Sequence, residues 1–109
     1  DSTRPQRTDF EGLAKLDEDA PITLQEILPD LGNTPEDAYF RDLIWDTIMD
    51  ALDELPADQR EVFIQNEMEE KGFREIAEES GVSINTLLSR KRYAIIALRK
   101  RLQKLYDEL

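Results

Sequence analysis

The 109 residues are 39% hydrophobic and 36% charged, which suits one small domain with a modest core and a tail. No apolar run nears the roughly 18 residues of a membrane span, and a chain without cysteine or histidine has no disulfide framework, no thiolate metal site and no imidazole base. The net charge of −11 conceals an asymmetry: 5 basic and 20 acidic residues up to Glu70, then 9 basic and 3 acidic from Lys71 to Tyr106, the footprint of a basic docking surface joined to an acidic segment.

Residues 1–34 hold Pro5, Pro21, Pro29, Gly12, Gly32 and many acids, so they are expected to form an acidic, largely irregular linker. Its apolar patches, Leu13-Leu16 and Ile22-Leu24-Ile27-Leu28, are too short to build a core alone, and at most a turn of helix is expected around Thr23 to Leu28. The polar, proline-containing start is no secretory signal, and opening on Asp1 suggests a piece of a longer protein.

Order is expected from residue 35. Thr34 can cap a helix that Pro35 opens, and the acids after it suit the positive end of the helix dipole. Phe40, Leu43, Ile44, Ile48, Leu52 and Leu55 recur at helical spacing to about Glu54, where Leu55-Pro56 ends the helix. A second helix is expected over Ala57 to Glu69, burying Val62, Phe63 and Met68, and a short third one after Gly72, with Phe73, Ile76 and Ala77 on one face. Gly81 can take the left-handed conformation that stops that helix, and Ser83 can cap the last, which runs from Ile84 almost to Leu109 with Leu87, Ala94, Leu98 and Leu102 inward. No alternation of strand type occurs. The fold expected is all-α: a small four-helix domain over 35–109 behind the linker.

Residues 73 to 92 carry the functional signal. Ala77 lets two helices approach, Gly81 permits the tight turn, Val82 fills the corner and Leu87 anchors the second helix, the parts of a helix-turn-helix whose second helix offers its first residues to the DNA major groove. A plain helical hairpin is the bland alternative. The coincidence of cap, turn, small residue and basic cluster favours DNA.

The ordered set Leu55-Pro56, Arg60, Val62-Phe63, Phe73-Arg74-Glu75-Ile76-Ala77, Gly81-Val82-Ser83, Asn85-Thr86 and Ser89-Arg90 resembles region four of sigma factors of the extracytoplasmic-function group, without a gap from about Leu52 to Leu102. The resemblance implies a domain that binds the minus-thirty-five promoter element and docks on the β-subunit flap of core RNA polymerase. It also implies a promoter-melting domain outside this chain. Carried over by position, Asn85, Thr86, Leu88, Ser89, Arg92 and Tyr93 would read bases. Arg74, Arg90, Lys91, Arg99, Lys100 and Arg101 would meet phosphates, the last three being alternatively a solvated face and Arg90 alternatively a partner of an acid such as Glu75. Leu88, Lys91 and Tyr93 depart from the pattern, Lys91 standing where an apolar residue is common, and Glu70-Lys71-Gly72 lacks the usual glycine-then-apolar order.

Trp45 and Met49 lie off the inner stripe of the first helix and could meet a partner, either the polymerase flap or an anti-sigma factor. Ile95, Leu98, Leu102, Leu105 and Leu109 keep heptad spacing, better explained by packing on the first helix than by a dimer seam. Two other readings remain, a stand-alone helix-turn-helix regulator and a protein-interaction module held mainly by an anti-sigma regulator. An enzyme is disfavoured, because the many carboxylates sit on solvated faces with nothing to organise a site. No cofactor or metal, no membrane partner and a cytoplasmic location are expected. The acidic linker could also fold back over the basic helix and compete with DNA.

Overall fold

The computed structural model describes residues 22–109, and all regular structure among them is helical. α1 is a single turn, Leu24–Ile27; α2 spans Pro35–Glu54; α3 spans Ala57–Phe63 and continues into a π turn at Ile64–Met68; α4 spans Phe73–Ser80; α5 spans Ile84–Glu108. The patch Leu13-Leu16 lies outside the described residues.

Local chemistry sets these limits. At the start of α2 the Thr34 hydroxyl accepts from the Asp37 N–H and the Asp37 carboxylate accepts from the Thr34 N–H, each at 3.1 Å. The Thr34 backbone donor, and after it the Thr34 hydroxyl, hold the Asp37 carboxyl below its ordinary pKa. α2 stops at Leu55, extended at φ −76° and ψ 151° ahead of Pro56. Arg60 then reaches back and donates to the carbonyls of Asp53 and Leu55, both at 3.4 Å, covering acceptors that a helix end leaves open.

Two apolar clusters result. The larger joins Ile44, Ile48, Ala51, Leu52 and Leu55 of α2 and its end to Phe63 of α3 and to Ala94, Ile95, Leu98 and Leu102 of α5. Of the heptad-spaced residues, Ile95, Leu98, Leu102 and Leu105 join this cluster with α2, whereas Leu109 is exposed. The smaller cluster, Val62, Ile76 and Leu87 with Phe73, Ala77 and Val82 around it, fixes the corner between α4 and α5.

Two expectations need correction. Residues 22–34 are not simply a linker: Leu24, only 7% exposed, belongs to the larger core cluster, and Ile27, Leu28 and Leu31 pack on it, forming a strap. Met68 is exposed rather than buried. The physical reason is the π turn, closed by the Glu69 N–H on the Ile64 carbonyl at 3.0 Å, since one inserted residue rotates the next side chains by about 100°. Arg90, expected at a phosphate or alternatively paired with an acid such as Glu75, is paired with an acid, Asp58, at 3.5 Å.

Among the described residues two turns carry positive φ, Glu70 at 58° and Gly81 at 76°. Gly81 ends α4 in the left-handed conformation, donating its N–H to the Ala77 carbonyl at 2.9 Å. Glu70 does the same service in the loop before α4, where the absence of glycine leaves a side chain in a strained conformation. The two sites should respond with opposite signs. Gly81→Ala, which meets no steric neighbour, should cost about 1 kcal/mol from backbone conformation alone, and Glu70→Gly should gain about that amount. Urea midpoints of the two variants check this.

Candidate nucleic-acid interface

α5 begins at a built cap. The Ser83 hydroxyl accepts from the Thr86 N–H at 3.2 Å and donates to the Thr86 hydroxyl at 2.9 Å. Inward, Leu87, Lys91, Ala94, Ile95, Leu98 and Leu102 are buried. By helical spacing the opposite face carries Asn85, Leu88, Ser89, Arg92 and, two turns further, Arg99.

The expected residues are not equivalent in place. Asn85 is exposed, while Thr86, Leu88, Arg92 and Tyr93 are half-buried. Arg92 has its Nε shielded and unbonded among the described residues, which leaves the outer nitrogens of the guanidinium as its reaching end. Ser89 is only 8% exposed. It is shorter than Asn85, Arg92 and Tyr93, which share its face at three- and four-residue spacing, so the expectation that it reaches a base edge is corrected: they extend further than it does. Ile84 was not anticipated. It is 41% exposed beside Asn85, and the spacing gave no signal for it: three residues before Leu87 and seven before Lys91 it is in phase with the buried stripe, and it is open as the first residue of α5.

Cations divide into free and engaged. Arg74 on α4 and Arg99 and Lys100 on α5 are exposed and make no ion pair among the described residues. Arg101 is drawn to Glu54 at 2.7 Å, Arg90 to Asp58, and Lys71 to Glu79 at 2.8 Å, a bond that raises the Lys71 pKa above its ordinary value. Lys91 is the plain correction. Expected at a phosphate, it is 1% exposed, and its ammonium donates to the Asn66 amide oxygen and to Glu67 Oε2, the latter at 2.7 Å, with the Phe73 ring centroid 5.8 Å away. A buried, doubly bonded ammonium is part of the support for α5, not of its outer surface.

Exposed acids line α2, and Glu75, Glu78 and Glu79 of α4 are exposed as well. Glu36, Asp42, Asp46, Asp50, Asp53 and Glu54 are exposed along α2. Trp45 and Met49, 37% and 46% exposed, lie on that helix as expected for residues off its inner stripe. Trp45 also lines a cavity of about 290 Å³ with Arg41 and the strap residues Leu28 and Leu31. No described helix is long and apolar enough to cross a membrane.

A capped helix, held at a left-handed glycine corner by its own small apolar cluster and turning Asn85 and Arg92 outward, defines a helix-turn-helix nucleic-acid-binding module. Its sequence agrees with that geometry. Residues 45–95 match the family described as Sigma-70, region 4. Searches of curated proteins and of solved structures give no match. The family acts in transcription initiation, in recognition of the minus-thirty-five promoter element and in interaction with RNA polymerase.

Proposed function

We propose that α5 enters the major groove of the minus-thirty-five element in a sigma factor of the extracytoplasmic-function group, while α2 and the strap face core polymerase at the β-subunit flap. The observation that carries the reading is the exposed first turn of α5, with Ile84 and Asn85 at its tip, Arg92 on the face of Asn85, and Arg74, Arg99 and Lys100, unpaired among the described residues, flanking it. Asn85 and Arg92 offer hydrogen bonds to base edges and Ile84 and Leu88 apolar contact to thymine methyls, whereas the flanking cations meet phosphates. Working with core polymerase places the protein in the cytoplasm.

The test uses a duplex selected by this chain from a randomised library. Asn85→Ala should lose about 1–3 kcal/mol of discrimination at one base pair. Arg99→Ala should weaken all duplexes alike and lower the slope of log affinity against log salt by about 0.9. Equal, sequence-independent effects from both variants would remove the base-reading role of Asn85.

A second reading has its own observation. Trp45 and Met49 stand exposed in an acidic field beside the cavity that Leu28 and Leu31 line, a surface suited to an apolar anchor on a basic segment. An anti-sigma regulator held there would compete with polymerase. Retention of the complete protein on purified core polymerase, challenged with the isolated regulator, separates the two partners.

A further inference from the structure

The strap meets the helix-turn-helix at one carboxylate. Glu67 Oε2 accepts the Leu24 N–H at 2.8 Å and the Lys91 ammonium at 2.7 Å. Leu24 is the first residue of α1, and Lys91 lies on α5 one residue before Arg92. The π turn brings Glu67 and Asn66 to face Lys91, and Asn66 is itself tied to the Lys71 carbonyl at 2.8 Å in the loop leading to α4. Lys91 is 1% exposed, so its ammonium has few places to go, and a shift of Glu67 must be answered by α5. The strap side of the contact is equally specific. Its carboxylate Glu26 is locked back onto Thr23, accepting from the Thr23 hydroxyl at 2.7 Å and the Thr23 N–H at 3.0 Å, which leaves the Leu24 N–H for Glu67.

We propose that Glu67 and Lys91 are positioning residues for the DNA-reading helix, and that the docked strap acts through them, so that strap docking and duplex binding reinforce each other. The inference rests on α5 binding DNA. It differs from simple competition by an acidic linker, because the described part of the strap contacts the domain at Leu24 and Glu67, on the inner side of α5, and not at Asn85 or Arg99. Two states of the strap then give two affinities. Any partner that draws residues 22–31 away loosens the hold on DNA, and bound DNA strengthens strap docking by the same factor.

Leu24→Pro tests it without touching Glu67 or Lys91. Proline suits the first helical position, and the extended backbone of Thr23, at φ −118° and ψ 152°, accepts a following proline, yet both the N–H and most of the buried leucine are lost. With the library-selected duplex, Leu24→Pro should weaken binding about fivefold or more with the salt slope unchanged, since no phosphate contact is removed. In the Lys91→Met background, where the ammonium that transmits the effect is gone, the same change should weaken binding less than about twofold. Amide exchange of Leu98 and Leu102 monitors the core in all four proteins. Equal effects of Leu24→Pro in both backgrounds, or tighter binding by Leu24→Pro, would overturn the inference and leave the DNA reading standing. A wild-type chain that enriches no duplex would sink both.

Discussion

Glu67→Ala lowers the unfolding free energy by about 3–5 kcal/mol, the cost of leaving a buried ammonium without its counter-charge. The side chains of Lys91 and Glu67 are 2% and 19% exposed, and no other carboxylate bonds that ammonium among the described residues. The Leu24 N–H loses its acceptor in the same substitution. The loss belongs to the broken pair and not to any large net value of the pair itself. The double variant Glu67→Gln with Lys91→Met, which buries no charge and keeps an acceptor for Leu24, therefore recovers most of the stability. Urea unfolding of the three proteins measures it. A cost below about 1 kcal/mol for Glu67→Ala would mean that water reaches Lys91 and that the buried network is not as described.

Phe63→Ala comes next, at about 3–5 kcal/mol. Phe63 is 0% exposed and stands where α3 meets both α2 and α5, in the cluster with Leu52, Leu55, Ala94 and Leu98. Removing it opens a cavity at the point where three helices converge, and none can close in without disturbing the other two. The same urea experiment reads the loss, and a value under about 1.5 kcal/mol would show that the cluster collapses onto the space. Phe63 also explains a run of sequence. Leu55-Pro56 ends α2, Arg60 covers the carbonyls so exposed, and Val62 and Phe63 enter the two clusters, one each. A signature first met as a resemblance turns out to be a corner, its cap and two core anchors.

Where a limit is set by neighbouring residues, the sequence reveals it. Thr34-Pro35, Leu55-Pro56, Gly81 and Ser83 act within a few positions of themselves, and α2 begins and ends, α4 ends and α5 begins where those residues place them. The helix-turn-helix was legible for the same reason, and with it Asn85, whose phase on α5 opposes the inner stripe. What failed to show depends on distant partners. The turn of helix at α1 was legible, but not its docking, which comes from the packing of Leu24, Ile27 and Leu28 and from the carboxylate of Glu67, 43 positions away from Leu24. The π turn leaves no compositional mark either.

Lys91 is the instructive case. As one of three consecutive cations, it reads like a phosphate contact. Yet it lies four residues after Leu87 and three and four before Ala94 and Ile95, on the buried stripe, and its periodicity outweighs its charge. Ser89 shows the converse, a residue whose helical phase is outward and which is nevertheless only 8% exposed.

The central claim, that the first turns of α5 read duplex DNA, is tested most directly by mapping backbone amide shifts by nuclear magnetic resonance on titration with the library-selected duplex. The account predicts the largest changes at residues 83–93 and at Arg74, smaller ones at Arg99 and Lys100, and little change along the acidic face of α2. Changes centred on Trp45 and Met49, with Ile84, Asn85 and Arg92 undisturbed, would contradict it.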